Sequence, residues 1–338
     1  MKKLLSLLFS VLLLISPLSG CKAKAPLQKE ELYALDTLIT LSVYSHNSEA
    51  LKLAKAEIKR LEKLLSVTDK DSDVYKINLN CGTFVSVSDE CFTLIKTAKE
   101  VSKAASGYFD ITVYPALKLW GFTTSEYQVP DENELLAVKE KIGYYNIELN
   151  ESNKTVKIPQ GSSIDLGAIA KGYIADKTAE MLINNGVTSA LLNFGGNIKL
   201  IGSKPEGEDF KIGIKAPFTD SYFATLNVRD LTVSTSGDYE RYFEKEGVRY
   251  HHILNPFTAS PAESDIKSAT VIGKKGELCD ALSTAAFVLK SENITELTES
   301  YPDYSFVLLT DERVYVSENI ADDLTLADDF RSFEITII

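Results

Sequence analysis

The chain predicts an α+β fold, a compact two-lobed mixture of sheet and helix, and three observations point there. Helical and strand-like segments alternate irregularly, unlike the steady strand–helix rhythm of a doubly wound parallel sheet. The 338 residues, 44% hydrophobic and 25% charged, are enough for one large core or two lobes. No fixed-period repeat or low-complexity linker follows residue 30, so residues 31–338 read as a single domain.

The elements follow in order. Met1-Lys2-Lys3, an apolar run from Leu4 to Leu18 and the small residues before Cys21 make residues 1–20 a secretory signal. The run is shorter than the roughly 20 residues that span a bilayer. The Leu18-Ser19-Gly20-Cys21 string is similar to the bacterial lipobox, which implies lipidation of Cys21, residues 21–30 as a lipidated tether, and a protein held on the outer face of a bacterial membrane. Leu38 to Tyr44 alternates like a strand. Leu51, Ala54, Ile58, Leu61 and Leu65 fall at helical spacing, as do Phe92, Ile95, Ala98 and Val101. Phe84 to Val87 is a short strand, residues 125–140 hold a loop and a helix, and Tyr144 to Ile158 is a hairpin turning at 150–153. Lys171 to Asn184 is a helix ended by Gly186. Strands are expected at 189–193, 197–201, 210–214, 223–228, 248–254 and 268–272, then a helix through Asp280, then strands near 306–309, 313–316 and 333–338.

The net charge of −12 repels phosphate backbones and excludes nucleic acid as a partner. An anionic substrate would need a local cation, and a metal ion is one. Apart from Cys21, the three cysteines include no C-x-x-C pair, which argues against a disulfide framework or a zinc site; Cys81 and Cys91 could close one small loop.

Polar residues and glycines gather in five clusters: Gly107-Tyr-Phe-Asp-Ile-Thr-Val with Leu119-Trp-Gly-Phe122; Ile164-Asp-Leu-Gly-Ala-Ile-Ala-Lys-Gly-Tyr173; Asn193-Phe-Gly-Gly-Asn197; Ser234-Thr-Ser-Gly-Asp-Tyr239 with Tyr250-His-His-Ile-Leu-Asn-Pro256; and Asp280-Ala-Leu-Ser-Thr284. Each has a plain alternative. Asp165 could cap a helix, Gly195-Gly196 could be only a turn, Trp120 could be core, and Asp280 could cap its own helix. His251 and His252 are adjacent, so at most one faces a given cleft.

Taken together, these strings resemble the FAD:protein FMN transferase family, also called the ApbE family, over about residues 33–310. The resemblance implies an enzyme that moves FMN from FAD onto a Thr or Ser hydroxyl of an acceptor flavoprotein, either a membrane redox-system subunit or a secreted protein. It implies Mg2+ held by Asp280, Thr284 and the carbonyl of Ala168. These are oxygen donors, which suit that ion, and Asp280 and Thr284 lie one helical turn apart. It further implies FAD contacts from Leu35, Thr68, Leu119, Trp120, Gly121, Asp165, Lys171, Ser236, Gly237 and Asp238. Trp120 offers a flat ring for stacking. His252 is implied as the base that takes the hydroxyl proton, at an ordinary pKa of about 6.5, and Ser283 as a supporting residue. Where the family often has Met-Gly-Thr, a tyrosine, Gly-Gly-Asp and Asp-Pro-x-Thr-Gly, this chain has Leu35-Asp36-Thr37, Thr68, Gly-Gly-Asn197 and Asn255-Pro-Phe-Thr-Ala259. Two competing functions use the same residues: an FAD pyrophosphatase with water as nucleophile, and a flavin-binding lipoprotein without catalysis.

Overall fold

The computed structural model of the chain describes residues 25–338; the expected signal sequence, Cys21 and the start of the tether lie outside the described residues. Its centre is a nine-stranded sheet whose strands lie side by side in chain order. They are β1 (Leu27–Ala34), β2 (Thr37–Tyr44), β3 (Ala190–Phe194), β4 (Asn197–Ile201), β5 (Thr232–Gly237), β6 (Ser268–Gly273), β7 (Ser305–Leu309), β8 (Arg313–Val316) and β9 (Glu334–Ile337). Neighbours are antiparallel except β8 and β9, which are parallel.

Four helices pack on one face: α1 (Glu49–Leu65), α2 (Asp89–Ala104), α3 (Gly167–Asn184) and α4 (Gly276–Leu289). The other face is covered by a small antiparallel sheet of Phe210–Lys215, Tyr222–Val228 and Leu324–Leu326. Strand β7 shows how one segment serves both faces. Phe306 and Leu308 enter the helical core, while Val307 and Leu309 enter the other, because successive side chains point to opposite sides. A strand buried on both faces reads as an unbroken apolar run. The two expected lobes are thus two cores sharing one sheet. A third, smaller core gathers Ala116, Trp120, Phe122, Leu254 and Ala259.

The helices begin where side chains satisfy their first N–H groups. Ser88 accepts from Cys91 N–H ahead of α2, and Asp131 and Glu134 form a reciprocal capping box ahead of the helix Glu132–Lys139. Helix α3 starts at Gly167, four residues before the expected start. Gly186, at φ +83°, follows its end.

Several elements differ from expectation. Residues 27–30, assigned to the tether, are the first half of β1, which pairs with β2 from Leu27↔Tyr44 to Ala34↔Thr37. An edge strand rich in Lys and Glu carries no apolar signal, and the ladder to β2 holds it. Strand β5, Thr-Val-Ser-Thr-Ser-Gly, sits mid-sheet yet is mostly hydroxyls, so it does not read as a strand. The expected strand 248–254 breaks at His252. Val248–His251 pairs with Tyr242–Lys245, and Leu254–Asn255 pairs with Ser260–Pro261. Short helices Asp73–Leu79 and Tyr114–Leu119 were not expected. Cys81, Cys91 and Cys279 are free thiols. Cys91 is fully buried in the main core, and the Asp73 carboxylate closes the loop before it, accepting from Ser88 N–H and O–H at 2.8 and 2.6 Å. Among the described residues no helix is long and apolar enough to cross a membrane.

Candidate active site

Helices α3 and α4 touch backbone to backbone. A Cβ on Gly172 would lie 2.0 Å from Gly276 O, and one on Gly276 would lie 2.4 Å from Gly172 O. Only glycine permits that approach. It lets Gly172 N–H donate to Asp280 Oδ2 at 3.0 Å, so Asp280 does not cap its own helix. In an α-helix the carbonyl four residues back faces each N–H; for Gly172 that carbonyl belongs to Ala168. The Ala168 carbonyl and the Asp280 carboxylate therefore converge on one N–H. Asp280 is 4% exposed, and one helical turn on is Thr284. Its hydroxyl lies 3.2 Å from Ser236 Oγ, which also meets Ser283 Oγ at 2.8 Å. Ser283 in turn donates to Asp280 O. One carboxylate, hydroxyls and a carbonyl form a hard-oxygen donor set of the kind that suits Mg2+. Among the described residues no group of three or more His, Cys, Asp or Glu side chains could hold a metal, so an ion here would rely on backbone and hydroxyl donors.

A second group adjoins the first along α3. Asp165 is half-buried just before the helix and accepts from Gly167 N–H at 2.6 Å. Burial pushes its carboxyl up, opposed by that N–H and by the charges of Arg241 and Lys171. His252 is lowered to about 3 by burial and then by Arg241 and Lys171. Its Nδ1 lies 3.1 Å from Arg241 O. A carbonyl only accepts, so Nδ1 carries the proton and Nε2 keeps its lone pair. His251 faces the other way: buried, it bonds Ala262 O through Nε2 at 3.0 Å and stands edge-on to Phe287. Asp238 lies near His251. Its carboxyl is pushed up by burial, and its buried Oδ1 has no partner.

The remaining expected contacts divide. Leu35 and Asp36 form the β1–β2 turn at φ +55° each, and the charge of Asp36 is felt by Asp165. Leu35 N–H is held by Glu62 at 2.7 Å. Thr68 is exposed on the turn after α1, where its hydrogen bonds run to Ser66; nothing joins it to the groups above. Leu119 lines a separate cleft of about 430 Å³ with Lys118, Lys141 and Ser163. Trp120 differs from the expected stacking surface. It is 2% exposed, donates its indole N–H to Ala259 O at 2.8 Å, and packs against Tyr250 at 5.3 Å. The ring is an anchor of the third core. Gly121 is held at φ +82° beside Glu126 O.

Three positioning features escape sequence reasoning. Asn78 clamps Ile164 from both sides, at 2.9 Å to its carbonyl and 2.7 Å from its N–H. Asp110 accepts from Thr112 and Tyr144, while Ile111 O takes Asp165 N–H at 2.9 Å, which gives the Phe-Asp-Ile-Thr string its role. Arg241 stands beside His252 and donates to Phe122 O at 2.6 Å. The signal for it was the arginine of the Ser-Gly-Asp-Tyr-Glu-Arg string.

A protein-family model described as the ApbE family matches residues 35–308. A Klebsiella pneumoniae protein named FAD:protein FMN transferase is 35% identical over 279 residues, 81% of this chain and 86% of its own length. One of the same name from Treponema pallidum is 32% identical over 317 residues, 87% and 88% of the two chains. Among solved structures, the ApbE protein of Thermotoga maritima superposes with a TM-score of 0.80 at 32% identity, covering 91% of this chain and 99% of that one. The apo flavinyl transferase ApbE of Pseudomonas stutzeri gives 0.75 at 29%, covering 85% and 93%.

Proposed function

The chain belongs to the ApbE family, and from that premise we infer that it is an FAD:protein FMN transferase, moving FMN from FAD onto a Thr or Ser hydroxyl of an acceptor protein and releasing AMP. The observation that carries the assignment of residues is the bond from Gly172 N–H that ties the Asp280 carboxylate to α3, with the Thr284 hydroxyl one turn on against Ser236; the Ala168 carbonyl follows from its place four residues before Gly172 in the helix. We propose that these three groups hold Mg2+, which when bound offsets charge on the FAD diphosphate. Lys171 and Arg241 add positive charge on the His252 side. His252, neutral with its Nε2 lone pair free, takes the proton of the attacking hydroxyl. The new oxygen–phosphorus bond forms on the FMN side as the bond to the AMP phosphate oxygen breaks. Asp165, Asp238 and Ser236 hold the polar groups of the substrate, and the anchored Trp120 fixes the end of the helix Tyr114–Leu119 and the turn at Gly121.

Mass spectrometry of a candidate acceptor incubated with enzyme, FAD and Mg2+ should show FMN linked through phosphate to Thr or Ser. Asp280→Ala should abolish it, since losing one charge stabiliser costs about 3 kcal/mol of barrier or more; wild-type rates from that variant would overturn the metal assignment. Rapid AMP release without acceptor would favour the pyrophosphatase instead. We further propose that the enzyme works at the outer face of a bacterial membrane, anchored by lipid on Cys21, because residues 1–20 read as a secretory signal and Leu18-Ser19-Gly20-Cys21 as a lipobox. Cys21→Ala should move the protein from the membrane to the soluble fraction.

A further inference from the structure

The contact between α3 and α4 contains a reciprocal pair of bonds. Gly172 N–H donates to Asp280 on α4, and Gly276 N–H donates to Asp176 Oδ2 on α3 at 2.5 Å. In each helix the carboxylate sits four residues beyond the glycine, so each helix offers one N–H and takes back one. The two halves differ in what balances the carboxylate. Asp176 Oδ1 is ion-paired with Lys199 of β4 at 2.7 Å, and both side chains are 13% exposed. Lys199 also donates to Lys274 O at 2.8 Å, in the loop leading into α4. Where the two glycines meet, backbone lies against backbone and no side chain stands between the helices. Polar bonds act at that point, and Asp176 holds the first residue of α4, where N–H groups lack partners within the helix and the dipole favours an anion.

We propose that Asp176 and Lys199 are positioning residues for the metal donors. They fix α4 against α3 so that Asp280, from one helix, and the Ala168 carbonyl, from the other, meet at one point. Neither residue touches the substrate or the ion. This rests on the reading of Ala168, Asp280 and Thr284 as the metal site.

The test is binding rather than turnover. Mn2+ serves as the probe, titrated into the full-length protein without FAD and followed by electron paramagnetic resonance, with the melting temperature recorded alongside. Removing a partner that orients metal ligands typically weakens metal affinity by about 10- to 100-fold. Asp176→Ala and Lys199→Met should each weaken Mn2+ binding by at least about tenfold on that basis. Lys199→Arg, which keeps charge and donors, should stay within a few-fold of the wild type. FAD affinity without metal, read from flavin fluorescence, should not change. A purely structural role would lower the melting temperature of Lys199→Met and leave its Mn2+ affinity at the wild-type value, and that result overturns the proposal. Asp280→Ala separates the two levels. If it leaves Mn2+ binding intact, the metal-site reading itself falls; if it abolishes binding while Asp176→Ala and Lys199→Met do not, only the positioning role falls.

Discussion

Gly172→Ala sets two physical effects against each other with opposite signs. Inside an exposed helix the change would stabilise by about 1 kcal/mol, the difference in helix propensity. In α3 the new Cβ would sit 2.0 Å from Gly276 O and 2.3 Å from Gly276 C, both backbone atoms that no rotamer change can move. Relaxed contacts lie near 3.5 Å, so the helices must part by about 1.5 Å. Overpacking of this kind costs about 1–3 kcal/mol. The 3.0 Å bond from Gly172 N–H to the Asp280 carboxylate is lost as the helices part, and a bond to a charged group contributes about 1.5–3 kcal/mol. Subtracting the propensity gain leaves a destabilisation of about 1.5–5 kcal/mol, equivalent to a fall of about 2–7 °C in melting temperature for a chain of this size. Thermal and urea unfolding measure it directly, and Mn2+ titration should show weaker binding in the same variant. A melting temperature equal to or above the wild type would mean that helix propensity wins, and that the crossing is not the tight contact that places Asp280.

Other perturbations have defined outcomes. His252→Ala should bind FAD normally yet transfer FMN about 10²- to 10⁴-fold more slowly; weak FAD binding with normal turnover would contradict its role as base. His252 is lowered first by burial and then by Arg241 and Lys171; the diphosphate offsets the two charges, so FAD binding near pH 5 should take up part of a proton there, and calorimetric heats that do not depend on the buffer would refute this. Glu277 is raised from 4.5 to about 7 by burial and by its contact with Asp176. Across that window the folded protein holds a proton that the unfolded chain has released, so stability falls as pH rises through it. Glu277→Gln should flatten that fall in melting temperature, and an unchanged slope would refute the assignment. Asp36→Gly removes a negative charge felt at Asp165 and should tighten FAD binding by about two- to fivefold, as a single screened charge predicts. Unchanged affinity would place Asp36 outside the field of the site.

The sequence carries most of the fold wherever apolar periodicity reflects burial. Ala54, Ile58, Leu61 and Leu65 of α1 are spaced as a helix because one face of it is buried. The signal disappears where partners replace apolar side chains. In β5 the hydroxyls of Ser234, Thr235 and Ser236 are buried or half-buried and bonded to Asn197, Thr270 and Ser283. A central strand made of hydroxyls cannot be told from a polar loop until its neighbours are known. The site divides in the same way. Asp280 and Thr284 are legible because helical spacing puts them on one face. Gly172, Asn78 and Asp176 are not, because each acts on a backbone group far along the chain, Asn78 on Ile164 and Asp176 on Gly276. Trp120 is open to two readings in the sequence, a stacking ring or plain core, and the contact with Tyr250 and the bond to Ala259 place it in the core.

The same cations act twice on the chemistry of the site. A chain with a net charge of −12 repels a dinucleotide diphosphate at long range, so affinity must come from local fields. Lys171 and Arg241 supply one on the His252 side. Burial first, and that field second, lower the basicity of His252 in the protein alone, and a base with its pKa held near 3 accepts a proton poorly from a hydroxyl or from water. An anion placed beside the two cations offsets their share of that lowering while their attraction holds the anion. On the proposed role of His252 as base, the part of its basicity that the two cations take away returns when a phosphate is in place. On that proposal the pull on a hydroxyl proton rises with occupancy, and water that enters before FAD meets a weaker base.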